Sequence, residues 1–475
     1  MNIMWSLLIP EWTVFAFLMI LLFGEMFSRE FSGKLASQVT FLGSFVTLIA
    51  CFSVLGVTDS TFGGSFMVDS LATFFKIFFA ITLIGVVPMC HEFFDRRLKN
   101  PGEFYLVLWS SLLGLFFLVS ANDLLLLFIA LEIFTLSLYI MAAYLKHELL
   151  SIEAGLKYLI LGSLASAFMI YGISLIYVSC GSTSFPVIRE VFALRTTHSL
   201  ILLGILFILS GVCFKVAAVP FQFWVPDVYE GAPTPVVAYL SVASKAAGFA
   251  ILLKLLFTVF IPFEAARTLM FSVLAAMTIL YGNLGALVQT NIKRLFGYSS
   301  IGHAGYLLIG IAVGGEAGTS ALLYYLVAYG LTNIAAFIVI TEVGRRVGSD
   351  KIDAYRGLAK RSPFLAGTFF VALLSLAGVP PLAGFFGKFL VLLAAVRGGL
   401  GWLALLGALA VAISLFYYLS LVRMMYIEES SSEQAIGVSP VSRFLLVILT
   451  ASIILVGFWQ EPVLSFTRTA VHALF

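Results

Sequence analysis

The sequence predicts an all-α integral membrane protein with about fourteen membrane-spanning helices. Two observations predict it. Of 475 residues, 61% are hydrophobic and only 11% are charged, against about a quarter charged in an ordinary soluble domain. Apolar stretches of about 20 residues, the length that crosses a bilayer, recur along the whole chain with short polar loops between them. No stretch is left over for a soluble domain. The net charge of +3 says little about partners; the expected environment is the lipid bilayer, and no nucleic-acid partner is expected.

In chain order, hydropathy places spans near 5–26, 36–57, 68–90, 104–121, 123–145, 154–180, 199–226, 233–260, 269–290, 296–314, 318–343, 364–395, 401–427 and 441–459. The first, WSLLIPEWTVFAFLMILLFG, lacks a basic leading region and a small-residue cleavage site, so it reads as a retained helix. The span at 364–395 would be about 48 Å long as a straight helix, against about 30 Å of hydrocarbon. A break at SLAGVPPLAG resolves the excess, and Pro220 predicts a similar break in the span at 199–226. The basic loop residues Arg29, Lys34, Arg96, Arg97, Lys99, Lys146, Lys293, Arg294, Arg345, Arg346, Lys351, Arg356, Lys360 and Arg361 all follow odd-numbered spans. The intervening loops carry at most Arg189 and Arg195, Arg267 or Arg397. The positive-inside rule therefore puts both termini on the outer, periplasmic side. An even span count agrees.

Sliding the chain on itself by roughly 170 residues lays Tyr158-Leu159 over Tyr325-Leu326, Glu132 near His303 and Lys215 near Lys388. Five spans per copy is an odd number, so the copies are expected to be inverted, as in many transporters. The expected division is three N-terminal helices (1–100), a first five-helix repeat (101–262), a second, inverted one (263–430) and a C-terminal helix (431–475). Helices 7 and 12 are the broken ones.

Ionisable residues stand inside these spans: Glu132 in LLLLFIALEIFTLSLY, Lys215 in GVCFKVAAVP, Lys245 in YLSVASKAAGF, His303 in YSSIGHAGY and Lys388 in GFFGKFLVLL. A Lys or Asp at a lipid-facing helix centre costs about 2.5–3.5 kcal/mol, so five such groups are expected to face one another inside the bundle. Proline breaks free backbone carbonyls, which persist only where protein or water satisfies them. An ammonium in a low-dielectric site loses proton affinity and a nearby carboxylate restores it, so separating the two releases the proton. A swing of about 3 pKa units is worth about 4 kcal/mol, and moving one charge through 100 mV takes roughly 2.3 kcal/mol. The magnitudes suit a lateral proton relay. Two plainer readings stay open: a static ion pair for Glu132 with Lys215, and a hydrogen-bonded core histidine for His303. Lys76, Lys157, Lys254 and Arg423 read as snorkelling or structural pairing, Glu11 and Glu25 as interfacial, and the aromatics (15%) as packing and interfacial belt. Cys51, Cys90, Cys180 and Cys213 have no metal or disulfide spacing and read as small core residues.

The stretches FKVAAVPFQFWVPDVYEGAPTPV, YSSIGHAGY and SLAGVPPLAGFFGKF resemble the antiporter-like membrane subunits of proton-pumping NADH:quinone oxidoreductase, respiratory complex I. The form VPDVYEGAPTPV resembles the bacterial N-type subunit, counterpart of mitochondrial subunit 2. The sister L and M subunits and the multisubunit cation/proton antiporters more usually carry a histidine after that aspartate and a glutamate where this chain has Lys388. The resemblance covers nearly the whole chain. It implies that Glu132 is the carboxylate of the fifth span, Lys215 its partner, Lys245 the central relay lysine and Lys388 the terminal one, with His303 matching less closely. It also implies a place in the bacterial inner membrane beside neighbouring subunit M and small subunits K and J. NADH, FMN, iron–sulfur clusters and quinone (ubiquinone or another) then belong to the whole complex, with no cofactor or metal on this chain. The alternative is a subunit of a multisubunit cation/proton antiporter or a membrane-bound hydrogenase.

Overall fold

The computed structural model of the protein describes residues 4–27, 33–94, 101–194, 199–429 and 434–475. Arg29, Arg96, Arg97, Lys99 and Arg195, used in the charge-alternation argument, lie outside the described residues. After a 3-10 turn at Trp5–Leu8, two helices (α1, Ile9–Phe27; α2, Lys34–Phe52) lead to a short antiparallel hairpin of β1 (Asp59–Thr61) and β2 (Phe66–Val68). Helices α3 (Ser70–Phe94), α4 (Gly102–Ser120), α5 (Leu124–Ala142), α6 (Leu149–Cys180), α7 (Phe185–Leu194), α8 (Ser199–Val216) and α9 (Trp224–Gly231) follow. The next span, Thr234–Val259, comprises α10 (Thr234–Tyr239) and α11 (Lys245–Lys254), with π-helical turns at Leu240–Ser244 and Leu255–Val259. The remainder is α12 (Glu264–Ala286), α13 (Ile292–Val313), α14 (Gly315–Val347), α15 (Leu358–Arg361), α16 (Pro363–Ala377), α17 (Ala383–Arg397), α18 (Gly401–Tyr426), α19 (Pro440–Phe458) and α20 (Glu461–Val471).

Thirteen helices among the described residues are long and apolar enough to cross a membrane. The broken pair α16 and α17, 15 residues each, makes a fourteenth crossing. Fourteen crossings return the chain to its starting face. Accordingly, the Met4 N–H donates to Thr61 Oγ1 of the hairpin at 3.2 Å, and Leu474 lines a cavity together with Met67 of the same hairpin.

Both broken helices stop in the same way. Helix α8 ends where Ala217 turns left-handed (φ 64°), with Ala218 N–H donating to Cys213 O at 3.0 Å. Helix α16 ends where Gly378 turns left-handed (φ 89°), with Val379 N–H donating to Leu374 O at 3.0 Å. These are matching left-handed C-caps, and Pro220 and Pro381, each after a cis peptide bond, follow at the same distance. Proline lacks the N–H a continuing helix needs. A second correspondence lies at the starts of α5 and α13. Asp123 caps α5 and bridges Ser184 beyond α6, while Asn291 caps α13 and bridges Lys351 beyond α14. Helix α5 is the fifth crossing and α13 the tenth, so the two caps face opposite sides of the membrane.

Burial sorts the helices by what they carry. The span Thr234–Val259 is enclosed along its length, and α13 and α14 nearly so, because polar groups in a bilayer are stable only toward protein or water. Helix α6 instead presents Leu156, Ile160 and Leu164 outward, toward lipid or a neighbour. Helices α7 and α20 and the hairpin are too short for hydropathy to reveal. One expectation is corrected, and one choice between snorkelling and structural pairing is decided for pairing. Glu11 is not interfacial but 3% exposed, paired at 2.6 Å with the fully buried Lys76. Lys254 does not snorkel; it is buried, and its Nζ donates to Ala121 O at 3.2 Å.

Candidate functional site: a line of buried charges at the helix breaks

Lys215 lies in the last turn of α8, 4% exposed. Its ammonium sits 5.6 Å from the ring centre of Tyr158, 5.7 Å from Tyr139 and 6.0 Å from Phe134, and its Nζ has no hydrogen-bond partner. Aromatic faces attract a cation without accepting its protons, so this cage holds charge while leaving the N–H groups free. Glu132 acts on Lys215 electrostatically but forms no ion pair with it. Glu132 Oε1 accepts instead from Ser166 Oγ at 2.6 Å. The expected Glu132–Lys215 partnership is therefore through space.

Lys245 begins α11 directly after the π-helical turn, a distortion common at functional sites. Its Nζ points at Val216 O, 3.5 Å away, the last carbonyl of α8. Lys388, on α17, donates to Leu376 O at 2.8 Å and Ala377 O at 3.2 Å, the last carbonyls of α16, with Ser414 Oγ at 3.5 Å. The C-terminal end of a helix carries unpaired carbonyls and partial negative charge. Each half-helix end thus supplies an ammonium with the counter-charge that a carboxylate would otherwise provide. The geometry also corrects the internal alignment. Lys215 precedes its break and Lys388 follows its own, so the lysine that stands to the first break as Lys388 stands to the second is Lys245.

Close packing sets this up. A Cβ at Gly248 would lie 2.5 Å from Val216 Cγ1 and 3.4 Å from Lys215 Cβ, and one at Gly378 3.1 Å from Lys388 Cδ. Between the two breaks lies His303, 4% exposed, within electrostatic reach of both Lys388 and Lys245. Its Nδ1 meets Tyr325 Oη at 2.5 Å and its Nε2 meets Tyr418 Oη at 3.2 Å, while Tyr418 also pairs with Ser299 Oγ. Lys388 Nζ stands 5.0 Å from the Tyr306 ring centre. Sequence reasoning passed over these tyrosines as packing. The spacing of His303 and Tyr306 in YSSIGHAGY, three residues apart on one helix face, was the available signal.

Glu132, Lys215, Lys245, His303 and Lys388 form one continuous series, each within electrostatic or hydrogen-bond relation of the next or of the backbone beside it. Its chemistry is that of groups that hold or pass a proton. No cluster of three or more His, Cys, Asp or Glu suited to a metal occurs among the described residues. Just past the first break, Asp227 of α9 accepts from Lys157 Nζ and Arg294 Nη1, both at 2.7 Å, and Arg294 also reaches Glu230 at 2.8 Å. Partial burial pushes the Asp227 carboxyl up, but the two cations outweigh it and hold it below the usual carboxylate range. Asp227 thereby ties α6 and α13 to the segment that restarts the chain.

Residues 121–414 match the family model described as NADH:quinone oxidoreductase/Mrp antiporter, TM. The NADH-quinone oxidoreductase subunit N of Moorella thermoacetica is 38% identical over 440 residues, covering 90% of this chain and 92% of its own. A chain of respiratory complex I from Thermus thermophilus with bound aureothin superposes with a TM-score of 0.83 at 32% identity, over 96% of this chain and 98% of its own. A chain of the Mrp complex from Dietzia sp. DQ12-45-1b superposes with a TM-score of 0.87 at 18% identity, over 99% of this chain and 97% of its own, and shows the shared fold alone.

Proposed function

This chain belongs to the NADH:quinone oxidoreductase/Mrp antiporter transmembrane family, in its subunit N branch, and we propose that its own share of the work is proton translocation through Glu132, Lys215, Lys245, His303 and Lys388. It is a multi-pass membrane subunit of a proton-translocating NADH:quinone oxidoreductase. Electron transfer from NADH to quinone takes place on other subunits in this reading, and the relay turns it into proton movement. The observation that carries the proposal is the pair of ammonium groups, Lys245 and Lys388, each held at the carbonyl end of a broken helix.

Physically, Lys215 is the adjustable member. It is surrounded by rings and lacks a hydrogen-bond partner, so its charge is sensitive to any carboxylate that approaches or withdraws. Glu132 is half-buried among the exposed Ile129, Ile133 and Leu136. A carboxylate at that depth is stable only when covered by protein, which supports a neighbouring subunit on this face. The chain's partners are other subunits of the complex; subunits M, K and J are the proposed ones. The proposed setting is the bacterial inner membrane with both termini periplasmic. The proposed division among repeats is 101–262 and 263–430, flanked by 1–100 and 431–475.

Lys215→Ala and Glu132→Ala are expected to reduce NADH-driven proton pumping strongly in inverted vesicles while the complex assembles with its flavin and iron–sulfur subunits. Normal pumping by both variants would exclude the relay. Sodium/proton exchange by the isolated chain, with no flavin or iron–sulfur subunits co-purifying, would instead assign it to an antiporter.

A further inference from the structure

Lys245 and Lys254 are nine residues apart on one helix, about 13 Å along the axis and roughly half a turn out of phase. Lys245 faces the relay, whereas Lys254 faces the opposite way, toward α3 and α4. There it meets a second group of charges that the relay does not use. Lys254 Nζ holds Ala121 O at 3.2 Å and lies within electrostatic reach of Asp69 and Lys76. Asp69 is 5% exposed, and its Oδ1 accepts from Ala72 N–H at 2.6 Å. Lys76, fully buried, pairs with Glu11.

These charges are not sealed in. Lys254 and Asp69 line a cavity of about 460 Å³ whose wall includes Asn122, Arg189, Glu190 and Thr258. Arg189, Glu190, Ala193 and Ala473 at its rim are exposed, and it opens on the face that carries both termini. Inward from it, the buried hydroxyls of Thr73 on α3 and Ser120 on α4 have no hydrogen-bond partner in the protein. Buried polar groups of this kind are ordinarily satisfied by ordered water. They mark a polar seam on α3 and α4 at the cavity floor, beside Lys254 of the span that also carries Lys245.

We propose that this cavity is an outlet through which the subunit releases protons to the terminus-bearing side, with Lys254 as the titrating group at its floor and Asp69 as the charge that holds it. The proposal rests on the relay reading and extends it. A proton passes from Lys245 to Lys254, and the Lys254 ammonium then gives it to water in the cavity. Asp69 is fixed in place by its bond to the start of α3.

The test uses the intact complex in vesicles, with Lys245→Met as the reference for a lost relay. Lys254→Arg keeps the charge opposite Asp69 and a donor for Ala121 O but cannot give up its proton. It is expected to assemble and to lose proton pumping down to the level of Lys245→Met. Independently, Ala193→Cys and Ala473→Cys in a Cys180→Ala background are treated with a bulky, membrane-impermeant thiol reagent on the terminus-bearing side. Modification is expected to bring pumping down to that same level. If Lys254→Arg and the modified cysteine variants pump as wild type while Lys245→Met does not, the outlet is overturned and the relay stands. If Lys245→Met also pumps normally, both are overturned. Should Lys254→Arg fail to assemble, the thiol block alone decides: loss of pumping supports the outlet, and unchanged pumping overturns it.

Discussion

Gly248 is a position at which the proposed relay geometry is exposed to a single methyl group. Its added Cβ would sit 2.5 Å from Val216 Cγ1, whereas carbon atoms rest at about 3.5–4.0 Å. Relief of that clash moves α11 from the end of α8 by about 1 Å, and overpacking of this kind costs about 1–3 kcal/mol. The distance from Lys245 Nζ to Val216 O is already 3.5 Å. Another ~1 Å takes the ammonium beyond any hydrogen-bonding distance to that carbonyl. Gly248→Ala is therefore expected to pump protons much more weakly per NADH oxidised, with a modest loss of thermal stability and normal assembly. Val216→Ala removes the clashing methyl, so the double variant Gly248→Ala/Val216→Ala is expected to recover most of the pumping. The assay is the proton-to-electron ratio in inverted vesicles, with uncoupled NADH oxidation as the measure of assembly. Wild-type pumping by Gly248→Ala, or a double variant no better than the single, refutes the claim that Lys245 works through the end of α8.

Gly378→Ala places a Cβ 3.1 Å from Lys388 Cδ at a φ of 89°; a destabilisation of about 1–2 kcal/mol is expected from the left-handed backbone, together with reduced pumping, whereas Ala217→Gly at the matching first break is tolerated. Tyr325→Phe removes the hydroxyl that meets His303 Nδ1 at 2.5 Å and is expected to slow pumping several-fold without affecting assembly; no change in the rate of proton uptake would reduce His303 to a core residue. Asp227 is held below the usual carboxylate range, so the stability it contributes is present at neutral pH and is lost as the pH falls through its lowered value in the folded state. Asp227→Asn is expected to destabilise the detergent-solubilised complex at neutral pH by about 0.5–2 kcal/mol, the range for two half-exposed pairs, and to flatten the acid side of its stability profile, read by thermal unfolding between neutral and acid pH.

The crossings were readable because a bilayer imposes a length, and hydropathy registers that length directly: α5, α13 and α18 lie within a few residues of their expected ranges. The two breaks were readable from proline and from the excess length of the span at 364–395. What hydropathy does not register is which face of a helix a charge occupies. Glu11 near a helix start resembles an interfacial residue in any sequence, and only the packing of α1 and α2 around α3 and α4 encloses it with Lys76. Lys215 and Lys388 looked equivalent because both lie within a dozen residues of a proline. The end of each half-helix, defined by Ala217 and Gly378, shows that they lie on opposite sides of their breaks. The tyrosines around His303 were hidden in a chain so rich in aromatics that composition could not single them out.

A common electrostatic device follows from the two caps. A carboxylate paired with a buried lysine fixes the proton on the pair, and separating them needs movement of a side chain. A helix end is a weaker partner: its partial charge is about half a unit and it cannot itself be protonated. Lys245 and Lys388 thus each have a backbone carbonyl partner in the interior, yet neither is locked to a group that competes for its proton. Lys215 has only aromatic faces and a carboxylate at a distance, so it is the site most easily biased from outside, and Glu132 stands where a neighbouring subunit would touch it. The series therefore runs from the group most open to external influence toward groups held by fixed backbone dipoles. In the proposed relay, a signal arriving at Glu132 changes the charge of Lys215, whose chain neighbour Val216 carries the carbonyl that Lys245 meets.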